Sequence, residues 1–287
     1  MRTPRARTKG PRVAELVVAF FGDIVGGPGR RAFAHGAQVA RERHGAHIVI
    51  VNAENSRHGS GLSRDGYDLI RRAGADALTL GDHCFREKQA IALLNDAAHP
   101  VSRPANLAQG APGKRFVRID PAQREGAPPS GPLYVLTVLG RLFMPIPSDD
   151  PFAAVDREIS AIPEANAMVI VEAHAEASSE KQAIAWHCAQ RWPKRVVAVV
   201  GTHTHVQTAD ARVLEQCVGA VTDIGMCGPH RSIIGREVHD VLRFMTTQGP
   251  GALEVATEDA RACGALLRID PASRRCLHIE TLNIPVS

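Results

Sequence analysis

The sequence predicts a layered α/β fold, and three observations lead there. Apolar runs such as Ile48–Val51 and Val196–Val200 recur along the chain, and amphipathic stretches of helical length lie between them. Near-continuous apolar runs alternating with amphipathic segments are what strands covered by helices look like in sequence. At 287 residues and 44% hydrophobic content the chain can bury a full core; with only 4% aromatic residues, that core must be built from Ala, Val, Leu and Ile.

Taken in order, the first apolar run gives a strand over 13–21, and the amphipathic segment after it a helix over 29–44. Strand 47–51, helix 63–74, strand 76–80 and helix 87–96 repeat the alternation. A Pro/Gly-rich stretch, 104–132, interrupts it, with short strands expected at 115–119 and 133–139. Helix 152–161, strand 167–172, helix 178–190 and strand 196–200 follow, Ser178-Ser179 serving as an N-cap before Glu180 and Lys181. The rest is less regular: strand 217–221, helix 236–247, and closing strands near 264–269 and 276–282. Because the alternation resumes after the Pro/Gly stretch, one domain over 13–287 is expected, with 104–132 as an insertion or cap. There is no internal repeat.

Charge excludes one class of function. Arg2, Arg5, Arg7, Lys9 and Arg12 supply five positive charges, more than the whole formal net charge of +4. Without them, 29 basic residues face 30 acidic ones, so the body is near neutral and no broad nucleic-acid-binding surface is expected. Residues 1–12 read as a disordered basic tail rather than a secretory signal, since no apolar segment follows them. No apolar run approaches a membrane span. The six cysteines form no C-x-x-C motif or disulfide-like spacing, as in a cytoplasmic protein with free thiols.

The densest chemistry is Gly201-Thr202-His203-Thr204-His205, directly after an apolar run. In an extended strand, residues i and i+2 share a face, so the two imidazoles can grip one metal or two adjacent ones. Four other apolar runs also end in polar ligands: Gly22-Asp23, Asn52-Ala53-Glu54-Asn55, Gly81-Asp82-His83, and Glu172-Ala173-His174-Ala175-Glu176. Ligands of open α/β sheets bind beyond the carboxyl ends of strands, so these segments should converge on one rim. Gathered there are Asp23, Glu54, Asn55, Asp82, His83, His174, His203 and His205, too many donors for one ion and suited to two, with a carboxylate such as Glu54 able to bridge. Nitrogen and oxygen donors without thiolate suit iron, manganese or zinc.

Taken singly, these residues have blander readings. Asp23 can cap a helix or form a turn, and Asn55 can close an Asx-turn. Gly26–Gly29 lacks both G-x-G-x-x-G and a P-loop lysine, and reads as a tight turn rather than a phosphate cradle. Cys84 and Cys227 read as packing residues, and His35, His44, His47, His99, His187, His239 and His278 occupy ordinary helix or strand positions.

Together the segments resemble a known family. GDIVGGPGR (22–30), NAENSRHGSGLS (52–63), TLGDHCF (79–85), EAHAEASSEK (172–181), GTHTHVQTAD (201–210) and TDIGMCGP (222–229) match, in order, the YmdB-like bacterial metallophosphoesterases, a branch of the calcineurin-like phosphoesterase superfamily. RPANL (103–107) and DDPF (149–152) are similar too. The resemblance implies a four-layer αββα sandwich holding a dinuclear centre of divalent or mixed-valence ions. Asp23, Glu54, Asn55, Asp82, His174, His203 and His205 would be ligands, with Glu54 bridging, and His83 the catalytic histidine. It implies hydrolysis of small phosphodiesters such as 2′,3′-cyclic nucleotides, homo-oligomerisation and an RNA-processing protein partner. Val25 stands where broader calcineurin-like enzymes carry the His of Asp-x-His, as in the YmdB-like branch. Gly81-Asp82-His83 departs from that branch's Gly-Asn-His and adds a negative charge beside the metals, which makes bound water less acidic. His230-Arg231 is also atypical.

On this basis Asp23, Glu54, Asn55 and His205 would hold one ion, and Glu54, Asp82, His174 and His203 the other. A hydroxide between them would attack phosphorus while His83 serves the leaving group. The alternative is a metal-binding regulatory protein that acts through an RNA-processing partner with little catalysis. Metallo-β-lactamase-like and amidohydrolase patterns are not matched: Gln207 breaks the former, and the latter needs its His-x-His at the first strand, where Asp23 stands.

Overall fold

A computed structural model describes residues 14–286, so the expected basic tail over 1–12 lies outside the described residues. Strand β1 (Leu16–Phe21) leads into the two-residue β2 (Asp23–Ile24), then α1 (Gly26–His44), β3 (Ile48–Asn52), α2 (Arg64–Arg72), β4 (Ala77–Thr79), α3 (Lys88–Asn95) and β5 (Val101–Ser102). The middle of the chain gives β6 (Phe116–Ile119), β7 (Leu133–Leu139), α4 (Pro151–Ser160), β8 (Met168–His174), α5 (Ser178–Arg191), β9 (Val196–Thr202), β10 (Arg212–Leu214) and β11 (Val218–Val221). It closes with β12 (Met226–Pro229), α6 (Val238–Thr247), β13 (Ala260–Asp270) and β14 (Arg275–Pro285).

The strands form two sheets. The first runs β2-β12-β13-β1-β3-β4-β5, with β14 paired to β13; the second runs β10-β11-β9-β8-β7-β6. The pairs β1·β3, β3·β4, β7·β8, β8·β9 and β9·β11 are parallel, so within each sheet these strands end on a common side. β6, from the Pro/Gly-rich stretch, is the antiparallel edge of the second sheet.

Side-chain alternation explains the layering. Val17, Ala19 and Phe21 of β1 pack with Ala32, Phe33 and Ala37 of α1, whereas Leu16, Val18 and Phe20 pack with Val135 of β7 and Ile170 of β8. On β8 the parity repeats, Val169, Val171 and Ala173 turning toward Ala154 and Val155 of α4 and Ile184 of α5. Three cores thus separate four layers, helices on either side of two sheets: the αββα sandwich expected from the sequence. Among the described residues no helix is long and apolar enough to cross a membrane.

The structure corrects several local expectations. α1 begins at Gly26, so Gly26–Gly29 is the first turn of a helix and not a separate tight turn. Gly26 enters that helix at φ +61°, a backbone conformation glycine adopts without a Cβ penalty. The N-cap of α5 is Ala177, which offers no side-chain acceptor; Ser178 is already helical. The short strands β2, β5, β10 and β12 went unanticipated, since two to four residues carry too little periodicity to stand out.

Candidate metal centre

The parity that builds the inter-sheet core also builds the site. Ile48 and Ile50 of β3, Leu133 and Val135 of β7, Met168 and Ile170 of β8, and Val200 of β9 line the space between the sheets. One step of two residues further along each strand, that face turns polar: Asn52, Thr137, Glu172 and Thr202, all fully buried. The chain then leaves the strand ends through Glu54-Asn55, Asp82-His83, His174 and His203-Thr204-His205.

All of the sequence-predicted site residues meet there. Donor atoms of Glu54, Asp82, His174 and His203 lie within 4.8 Å of one another. His174 Nε2 is 3.0 Å from Asp82 Oδ1, 3.2 Å from Glu54 Oε1 and 3.1 Å from His203 Nδ1. His203 Nδ1 is 3.3 Å from Asp82 Oδ1. Donors about 2.1 Å from one ion sit about 3.0 Å apart in an octahedral shell and about 3.4 Å apart in a tetrahedral one, so these spacings suit one coordination sphere. Gly81 makes room for it: a Cβ there would lie 2.2 Å from His174 Nε2.

Asp23, Asn55 and His205 border this group. Asp23 Oδ2 accepts from the His203 backbone N–H at 3.2 Å, while Oδ1 is buried and has no hydrogen-bond partner among the described residues. A buried, unpartnered carboxylate oxygen is costly unless a cation meets it. Asn55 spans two histidines, its Nδ2 lying 3.3 Å from His205 Nε2 and its Oδ1 2.7 Å from His83 Nδ1. The His83 backbone N–H donates to Glu54 Oε2 at 2.9 Å, and His83 Nε2 stands 3.5 Å from Asp82 Oδ2.

The imidazoles share one design. Each turns one nitrogen inward and gives the other an outer acceptor: Thr202 Oγ1 at 2.9 Å for His174 Nδ1, Glu176 Oε2 at 3.3 Å for His203 Nε2, and the Ile234 carbonyl at 3.0 Å for His205 Nδ1. An N–H held outward leaves a lone pair inward, as a metal ligand requires. The donor set, carboxylates, imidazoles and one amide without thiolate, fits iron, manganese or zinc.

Electrostatics point the same way. Burial pushes the Asp23 carboxyl up to about 7, partly opposed by His174 and reinforced by Glu54, Glu172 and Asp223. Burial also disfavours charge on Glu54 and Asp82, yet His174, aided by His83 at Glu54 and by His203 at Asp82, holds both below their usual range. His174 is correspondingly raised, because Glu54 and Asp82 outweigh its burial. Burial lowers His205, leaving it a neutral donor.

The His-x-His segment is held under strain. His203 and His205 have φ of +93° and +64°, conformations that L residues adopt at a cost of about 1–3 kcal/mol each. Between them, Thr204 Oγ1 donates to Asp223 Oδ2 at 2.6 Å, and buried Lys181 donates to the same oxygen at 2.6 Å. Sequence reasoning missed Lys181, Asp223, Glu176, Thr202 and Glu172 as supporting residues. The available signal was a charged residue at the end of an apolar run, visible at Glu172.

A cavity of about 500 Å³ adjoins Asn55, whose carbonyl accepts from Gly26 N–H at 2.9 Å; its walls include Gly26, Gly27, Arg30, Arg57 and His58. A larger one, about 700 Å³, lies beside Arg141, Leu142 and Phe152, and neither cavity is lined by a site residue.

Comparison with known proteins adds the relatives. The model of the YmdB-like protein family matches residues 19–282. A 2′,3′-cyclic-nucleotide 2′-phosphodiesterase from Bacillus subtilis is 35% identical over 267 residues, covering 93% of this chain and 96% of that protein. Among solved structures, a hypothetical protein from Thermus thermophilus superposes with a TM-score of 0.84 at 38% identity, covering 95% of this chain and 100% of its own. A novel phosphatase from Mycoplasma pneumoniae superposes with a TM-score of 0.84 at 27% identity, covering 96% and 95%.

Proposed function

The chain belongs to the YmdB-like protein family, and from that premise we propose that it hydrolyses small phosphodiesters, 2′,3′-cyclic nucleotides among them, at a centre holding two metal ions. It is a metal-dependent phosphoesterase: its relatives over nearly their whole length are named a phosphodiesterase and a phosphatase, and it carries a cluster of Glu, Asp and His suited to a metal. What supports the two-ion reading is that the cluster of Glu54, Asp82, His174 and His203 is bordered by Asp23, Asn55 and His205, and that Asp23 Oδ1 is buried with no hydrogen-bond partner among the described residues.

Bound there, metal ions would supply Lewis acidity toward the phosphate oxygens. The chain's own residues do the rest. Asn55 Oδ1 fixes His83 Nδ1–H, which leaves His83 Nε2 to give a proton or hydrogen bond to the departing oxygen. Manganese, iron and zinc all match the donor set.

The test is turnover of 2′,3′-cyclic AMP by protein reconstituted with manganese or ferrous iron, beside an EDTA-treated sample and Glu54→Ala. Metal-dependent release of a nucleoside monophosphate, abolished in the variant, is expected. Protein that contains metal yet turns over no phosphodiester would contradict the proposal.

A further inference from the structure

Glu172 is a fully buried carboxylate to which the mechanism above gives no task. It accepts three hydrogen bonds, all from neutral donors: Asn52 Nδ2 at 2.8 Å and Thr202 Oγ1 at 2.8 Å on Oε1, and Thr137 Oγ1 at 2.7 Å on Oε2. The donors sit on β3, β9 and β7, while Glu172 itself is on β8. One side chain therefore ties three strands of the second sheet to a strand of the first, at the floor of the site.

Two of the three bonds continue toward a metal-ligating residue. A hydroxyl has one hydrogen, and a carboxylate only accepts. Thr202 spends its hydrogen on Glu172, so toward His174 Nδ1, 2.9 Å away, its oxygen can only accept. His174 must then carry hydrogen on Nδ1 and present Nε2 to Glu54 and Asp82. Strand pairing builds in this contact, since His174 and Thr202 are cross-strand partners. The second branch runs through Asn52. With its NH2 held by Glu172, its Oδ1 is turned to accept the Glu54 backbone N–H at 3.0 Å. An amide cannot reverse without breaking both bonds.

We infer that Glu172 is a positioning residue that acts through Thr202 on His174 and through Asn52 on Glu54, so that one buried carboxylate on β8 orients ligands from both sheets. The inference rests on the metal-centre reading above but not on the identity of the substrate. Outer partners of metal-bound histidines typically contribute 10–100-fold in metal affinity, and that is the scale expected here.

The test measures manganese binding, by the EPR signal of the free ion, in wild type and in Thr202→Val, Thr202→Ser, Glu172→Leu and Glu172→Gln. Circular dichroism in EDTA checks that each variant keeps its fold. Val matches Thr in shape but accepts nothing from His174, so T202V should bind roughly tenfold or more weakly, and T202S, which restores the hydroxyl, should recover wild-type binding. Gln can still accept from Asn52 and Thr202 through one oxygen, so E172Q should bind much more tightly than E172L, and this pair decides the matter if T202V does not fold. Wild-type affinity in T202V, or equal weakening in T202V and T202S or in E172Q and E172L, would overturn the inference. A wild-type chain that binds no manganese would instead remove the metal centre itself.

Discussion

His203 Nδ1 faces His174 Nε2 at 3.1 Å, with Asp82 Oδ1 within 3.3 Å of each. Two bare imidazole nitrogens repel at that distance, so a proton or a cation must lie between them. Burial disfavours charge on His174, but Glu54 and Asp82 outweigh it and raise the imidazole well above its ordinary range, which favours a proton there until a cation takes its place. A metal ion entering the site has to displace it. Manganese binding should therefore release protons, seen in calorimetry as a binding enthalpy that changes with the ionisation enthalpy of the buffer. An enthalpy that is the same in every buffer would contradict this arrangement.

Asp23 gives a pH dependence of definite sign. Its carboxyl is raised from 3.8 to about 7 in the fold, chiefly by burial. The metal-free fold thus holds a proton that the unfolded chain loses earlier, and this contribution to stability is present below about pH 4 and lost as pH rises through about 7. Asp23→Asn cannot ionise. In EDTA at pH 8 it should be more stable than wild type by an amount on the order of 3 kcal/mol, and the difference should shrink toward pH 5, as urea unfolding would show. A gap that widens on acidification would reverse the sign and refute the assignment.

Breaking the Lys181–Asp223 pair should be costly. Both side chains are buried, and Asp223 also holds Thr204 between the strained His203 and His205. Lys181→Met leaves an uncompensated buried carboxylate, a loss of about 3–5 kcal/mol in unfolding free energy. The freed segment should also weaken manganese binding. A variant as stable as wild type would show that the pair does not secure the loop.

His83 is expected to separate turnover from metal binding. It touches Glu54 through its backbone N–H and Asn55 through Nδ1, but it is not one of the clustered residues Glu54, Asp82, His174 and His203. His83→Ala should lower kcat by about 10²–10⁴-fold while metal content, measured by elemental analysis, stays near wild type. Loss of the metals in this variant would reassign His83 as a ligand.

Much of this was legible in the sequence, for physical reasons. The long strands β1, β3, β8 and β9 are buried on both faces and announce themselves as apolar runs, and the polar residues that end those runs mark the rim. What stayed hidden depends on contacts across the fold. Nothing local shows that Glu172 meets Asn52, 120 positions away, or that Lys181 meets Asp223, 42 positions away. Ser178 looked like a helix cap because capping propensity is a local signal, yet the chain turns into α5 one residue earlier, at Ala177. Gly26–Gly29 looked like a turn because glycine disfavours helices, whereas close packing selects it here: a Cβ at Gly29 would lie 2.3 Å from the Cys227 carbonyl oxygen.

The most direct test is anomalous diffraction from crystals of the manganese-loaded protein. Two peaks are expected, one among Asp82, His174 and His203 and one among Asp23, Asn55 and His205, with Glu54 between them. A single peak, or none at these residues, would contradict the two-ion centre.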